Sequence, residues 1–113
     1  MSRHDDSLSL RQMSDHLNEA IVLAAGHVRE DIESDRIFFL ALLKLVEIVG
    51  EAAMRISEST KGMHPEIPWR EIIGTRNHLV HGYDAVDFDI LWNIVTLDFP
   101  PLARQIKTLI PDV

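Results

Sequence analysis

An all-α fold follows from three features of this chain. Apolar residues recur at three- and four-residue steps over most of its length, and no stretch alternates polar and apolar residues as a half-buried strand would. The apolar mass, 46% of the residues with only 6% aromatics, is carried by Leu, Ile, Val and Ala, a mixture suited to helix packing. At 113 residues the chain is expected to form one domain over 1–113, burying about two-thirds of its unfolded surface. The expected architecture is an up-and-down bundle of four to five helices.

Residues 1–7 are polar and expected to fray. From about Ser9, the positions Leu10, Met13, Leu17, Ala20, Ile21 and Ala24 trace one helical face, and Gly26 is its expected stop. The charged run from His27 to Ser34 lacks a clean period and reads as a connection. Asp31, Ser34 and Asp35 are candidate caps for a second helix reaching about Ser57. Its stripe of Phe38, Leu42, Leu45, Val49, Ala52 and Ile56 is widened by Ile37, Leu40, Ala41 and Ile48. A helix this apolar must be covered on more than one side, by the other helices or by a second copy seated over Phe38, Phe39 and Leu42.

Gly62, Pro65 and Pro68 predict a loop from Glu58 to Pro68, and Pro68 suits the first turn of a third helix because its missing N–H would go unpaired there anyway. On that helix Trp69, Ile72, Ile73, Leu79 and Val80 form the inward stripe, and Gly82 is placed to end it. Asp87 is the expected cap of a fourth helix carrying Leu91, Ile94 and Val95. Asp98-Phe99-Pro100-Pro101 predicts a break and a restart, after which Leu102, Ile106, Leu109 and Ile110 give the last helix its face.

No run of apolar residues is long enough for a membrane span, and the charges among the first twenty residues exclude a secretory signal, so a cytoplasmic location is expected. The absence of cysteine excludes disulfides, thiol catalysis and cysteine zinc sites. A net charge of −7 argues against a general nucleic-acid binder, whose affinity rests on a basic surface. Any RNA chemistry would need its positive groups gathered in a cleft.

One intrusion on the third helix carries chemistry. Arg76 falls on the inward stripe, where an unpaired guanidinium costs several kcal/mol, so it needs a carboxylate partner or a cleft to line. Glu47 and Glu51, four apart on the second helix, interrupt its apolar belt and are candidate partners. His81 follows Arg76 by five positions, about 140° around a regular helix, so the two do not share a face within one ordinary helix. Arginine's length, fraying after Val80 or a second copy would have to close that gap. Asn77 and His81, four apart, do share a face, so the amide could orient the imidazole, and the helix end favours the protonated ring. A fixed cation and a proton shuttle suit phosphodiester cleavage; the plain alternative is a structural arginine and a helix-terminal histidine. His78 and His81, with Asp84 near, form an incomplete metal set. His4, His16, His27 and His64 read as ordinary surface residues, and Tyr83 by itself as the amphipathic lid of a helix end.

The run Arg76-Asn77-His78-Leu79-Val80-His81-Gly82-Tyr83, preceded by Ile67-Pro68-Trp69-Arg70-Glu71-Ile72-Ile73-Gly74, resembles the HepT-type toxins of the HEPN superfamily. The resemblance extends to Glu47-Ile48-Val49-Gly50-Glu51-Ala52 and to the segment from Val86 to Trp92. It implies a metal-independent, cofactor-free endoribonuclease of a toxin–antitoxin system with Arg76 and His81 catalytic, to which the spacing arguments above add Asn77 and one of Glu47 and Glu51 in support. It further implies that Tyr83 accepts AMP units from an MntA-type minimal nucleotidyltransferase antitoxin, and it fits a homodimer whose cleft pairs two copies of the motif. The competing reading is a non-catalytic HEPN-like module that binds a nucleotide or the nucleotidyltransferase; a purely structural helical adaptor would leave Arg76 unexplained.

Overall fold

The computed structural model describes residues 5–79 and 86–110, the side chains of 76–78 excepted. Seven α-helices and one π-turn account for most of them, with no β-strand element among the described residues: α1 (Ser7–Ala25), α2 (Asp31–Ser34), α3 (Arg36–Met54), α4 (Glu58–Met63), α5 (Trp69–Leu79), α6 (Phe88–Asn93), the π-turn (Ile94–Asp98) and α7 (Phe99–Lys107). The all-α bundle is thus built from α1, α3, α5 and the continuous rod of α6, π-turn and α7, with α2 and α4 as short connecting helices.

The long α3 sits in the middle, packed by α1 on one side and α5 on another, while α1 also carries α7. Its buried face comprises Phe38, Phe39, Leu42, Leu45, Val46, Val49, Ala52 and Ala53. Other helices therefore cover it within one chain. Phe38, Phe39 and Leu42 are 3%, 7% and 0% exposed, which removes them as the seat of a second copy. From α1 come Leu10, Met13, Leu17, Ala20 and Ala24, as the three- and four-residue steps require, and the helix stops before Gly26.

Of the three candidate caps for α3, Asp35 holds the position: its backbone is extended and its carboxylate accepts the Phe38 N–H. Asp31 instead opens α2, inside the stretch expected to be a connection. The helix ends at Met54, three residues short of Ser57, because Ser57 is itself the cap of α4 and accepts the Thr60 N–H. The expected loop from Glu58 to Pro68 therefore contains a helical turn and a half, which Gly62 does not prevent. Asp6, within the stretch expected to fray, is tied down. Asp6 accepts from the Ser57 N–H at 2.9 Å, the Ser57 hydroxyl at 2.7 Å and the Thr60 hydroxyl, tying the start of α1 to the start of α4.

The prolines at 100 and 101 do not break the chain. The helix widens into a π-turn over Ile94–Asp98, the Phe99 N–H bonding the Ile94 carbonyl, and continues as α7 with the prolines in its first turn. The widening also serves packing. Leu91, Val95 and Phe99 all face the core at successive four-residue steps, which in a regular α-helix would drift by about 80°. The wider turn absorbs that drift and keeps Leu102 and Ile106 on the same side. The helix ends at Lys107, so Leu109 and Ile110 pack against the core from beyond it.

Candidate functional site

Trp69 begins α5 immediately after Pro68, whose carbonyl accepts the Ile72 N–H. The indole Nε1 of Trp69 donates to the His64 carbonyl at 3.0 Å, fixing the entry of the helix against the preceding turn. Trp69, Ile72 and Leu79 are buried as the stripe predicts, and Ile73 packs against the core at its edge. Arg76, Asn77 and His78 lie on the last turns of α5, four positions and about 40° around the axis from Ile72 in the case of Arg76. Their side chains lie outside the described residues, as do Val80, His81, Gly82, Tyr83 and Asp84 in full. The roles of Arg76, Asn77, His81 and Tyr83, and the His78, His81 and Asp84 set, therefore rest on sequence.

What the structure places around that turn is informative. A shallow groove between α3 and α5 is lined by Val46, Glu47, Gly50, Glu51, Ile72 and Ile73, so both predicted carboxylates border the turn of α5 that precedes Arg76. Glu47 is half-buried and Glu51 exposed, and neither makes an ion pair among the described residues. Gly50 lets the helices come this close: a Cβ there would stand 3.3 Å from the Ile72 carbonyl oxygen. On the other flank of α5 a cavity of about 360 Å³ opens toward the π-turn and α7, with Glu71, Thr75, Asp98 and Gln105 among its lining. Ile72 is common to both concavities.

The described chain resumes at Val86, just before α6. Asp87 caps that helix, as expected, by accepting the Ile90 N–H at 3.0 Å. The Phe88 ring meets Phe39 edge-on at 5.3 Å between centroids. Arg29 reaches from the α2 side to Asp89 at 2.6 Å and to Glu33, and these two carboxylates raise its pKa further. Beside it His27 stacks on Phe38 with centroids 3.9 Å apart and bonds Asp31 at 2.9 Å. His27 is thus a packed, partnered residue rather than an ordinary surface one. The Val28 N–H, followed by the His27 bond, holds the Asp31 carboxyl below the usual carboxylate value.

The sequence pattern singles out neither Gly50 nor the lining of the cavity. The i,i+4 spacing of His27 and Asp31 and the small residue between two glutamates were the available signals. Among the described residues no group of three or more His, Asp or Glu side chains is disposed to hold a metal, and no helix is long and apolar enough to cross a membrane.

Comparison with known proteins identifies the family. The family described as ribonuclease HepT-like matches residues 13–109. A probable ribonuclease HepT of Thermococcus cleftensis is 39% identical over 95 residues, covering 80% of this chain and 86% of its own. A candidate RNase of Methanocaldococcus jannaschii is 28% identical over 107 residues, 95% of this chain and 98% of its own, and one of Caldanaerobacter subterraneus is 32% identical over 81 residues, 72% of each. No solved structure matches the chain. With an all-α bundle in place and a match running from the first helix to the end of the last, the chain belongs to the ribonuclease HepT-like family of the HEPN superfamily.

Proposed function

We propose that the chain is the toxin of a toxin–antitoxin system, a metal-independent endoribonuclease with Arg76 and His81 as its catalytic pair. The observation that carries this reading is the family match over residues 13–109, which encloses the whole Arg76-to-Tyr83 motif. His81 takes the proton of a ribose 2′-hydroxyl; the oxygen attacks the adjacent phosphorus; the 5′-oxygen of the next nucleotide leaves and is protonated. The products are a 2′,3′-cyclic phosphate and a 5′-hydroxyl. Arg76 meets the negative charge that builds on the phosphoryl oxygens, and Asn77 orients the imidazole. Glu47 and Glu51, bordering the α5 turn before Arg76, hold its guanidinium in place.

Tyr83 is the regulatory position. An MntA-type nucleotidyltransferase transfers AMP from ATP to its hydroxyl and releases pyrophosphate; each AMP adds bulk and negative charge beside Arg76 and His81 and so excludes RNA. A homodimer gathers two copies of the motif, which supplies the local positive charge that a chain of net −7 otherwise lacks. With Phe38, Phe39 and Leu42 buried, the face of α3 open to a second copy is the one carrying Ile37 and Leu40, 81% and 45% exposed.

The net charge of −7 favours the competing reading, a non-catalytic module that holds a nucleotide or the nucleotidyltransferase. Induced expression of the wild type and of His81→Ala without a partner separates the two. Growth arrest with new RNA ends bearing 2′,3′-cyclic phosphate, present with the wild type and absent with the variant, is the expected result. Intact RNA and normal growth with folded wild-type protein free of AMP on Tyr83 would establish the binding module instead.

A further inference from the structure

The cavity between α3, α5 and α7 has a chemistry of its own. Its volume of about 360 Å³ lies within the range of small-ligand sites. Val49, Ile72, Phe99 and Leu102, all at least nine-tenths buried, make an apolar floor. Among the described residues the polar groups in the lining are Glu71, Thr75, Asp98 and Gln105, with no Lys, Arg or His. The Thr75 hydroxyl donates to the Glu71 carbonyl at 2.7 Å, and one N–H of the Gln105 amide donates to the Glu66 carbonyl at 3.4 Å, leaving the other for a ligand. The described polar lining is thus rich in acceptors, two of them carboxylates, over an apolar floor. A flat apolar body with neighbouring N–H donors on one edge fits that set.

We propose that this cavity is a guanine-binding subsite, which rests on the ribonuclease reading for its place beside the scissile phosphate. Among the four RNA bases only guanine presents two adjacent N–H donors, N1–H and the 2-amino group, to a carboxylate. Adenine and cytosine set a ring-nitrogen acceptor beside their amino group, and uracil flanks its single N–H with two carbonyls. Recognition of an unstacked base through its Watson–Crick edge is the usual way proteins read single-stranded RNA. In position, Thr75 lines the cavity and Arg76 follows it on α5 about 100° around the axis, so the cavity and the arginine lie on adjoining sides of the same helical turn.

The test is a titration of the purified wild-type protein with guanosine, inosine, adenosine, cytidine and uridine, followed by amide NMR shifts, alongside cleavage of short RNAs differing at one base. Guanosine is expected to bind at least tenfold tighter than inosine, which lacks the 2-amino donor, and than the other nucleosides, with shifts centred on Ile72, Thr75 and Leu102. The double variant Glu71→Gln/Asp98→Asn, at two exposed positions, is expected to lose that preference at least tenfold while remaining folded, and to cleave RNA with KM for guanine-containing substrates raised more than kcat is lowered. Equal binding of the nucleosides, no binding, or a preference unchanged in the double variant would overturn the subsite. Cleavage without base preference sinks the subsite and leaves the ribonuclease standing; guanosine binding without any RNA cleavage upholds the subsite and removes the ribonuclease.

Discussion

Gly50 of α3 and Ile72 of α5 approach so closely that a Cβ on the glycine would stand 3.3 Å from the isoleucine carbonyl oxygen. Nothing on a helix backbone can rotate away from such a contact, so this pair sets how near α5, and Arg76 four residues on, lies to Glu47 and Glu51. In Gly50→Ala the gain in helix propensity, about 1 kcal/mol, and the crowding nearly cancel, and stability should change by less than about 1 kcal/mol. Gly50→Leu should cost about 2–3 kcal/mol by forcing the helices apart. Urea unfolding of the two variants checks this: a neutral leucine variant would mean that the approach does not constrain α5.

The latch at Asp6 links residues 51 and 54 positions apart in sequence. Asp6→Ala leaves the Ser57 N–H and two hydroxyls without their charged acceptor and should cost about 1.5–3 kcal/mol. Ser57→Ala, which also loses a helix cap, should cost about 1–2 kcal/mol. Because both act through one contact, the double variant should lose clearly less than the sum, as measured in a thermodynamic cycle by urea unfolding.

The division of α3 into a core face and an outer face predicts two classes of variant. Leu42→Ala removes a fully buried side chain and should cost about 2–5 kcal/mol in stability. Ile37→Asp, at a position 81% exposed, should leave stability within about 0.5 kcal/mol while shifting any self-association toward monomer. Sedimentation velocity beside chemical unfolding reads the two effects separately.

The Asp31 carboxyl titrates below its ordinary value of 3.8, chiefly because it accepts the Val28 N–H and then the His27 bond. A lowered folded pKa means that its contribution is complete above the unfolded value and is lost as pH falls through the folded one. Asp31→Asn should therefore be less stable than the wild type at neutral pH, with the gap closing below about pH 4. Denaturation midpoints from pH 7 to pH 2.5 measure it; a gap independent of pH would show that the carboxylate's charge is not what matters.

Arg29, itself half-buried, bridges the exposed carboxylates of Asp89 and Glu33, so its effect should depend on salt. Arg29→Ala should lower the thermal midpoint slightly in dilute buffer and not at all in 1 M sodium chloride. Thermal scans at the two salt concentrations are the check, and a loss that persists at high salt would place the contribution in packing.

The period of the apolar residues was enough to determine the class of fold, the faces of α1 and α3 and the burial of Trp69, Ile72 and Leu79, because helix geometry converts spacing directly into a shared side, and residue type marked the cap at Asp87 while leaving Asp35 one of three candidates. Membership of the family was equally legible, since a family signature is a matter of residue order. Tertiary structure decided the rest, for one physical reason: the deciding contacts join residues far apart in the chain. Polar Asp6 is ordered because Ser57 and Thr60 come to it, and α4 forms because the same Ser57 caps it. The prolines at 100 and 101 are tolerated because a π-turn, held by the packing of Leu91, Val95 and Phe99, sets them in the first turn of α7. Phe38, Phe39 and Leu42 turn inward rather than toward a second copy because α1, α2 and α5 reach α3 first. The acceptor-lined cavity exists only where α3, α5 and α7 meet, at a place no local spacing describes.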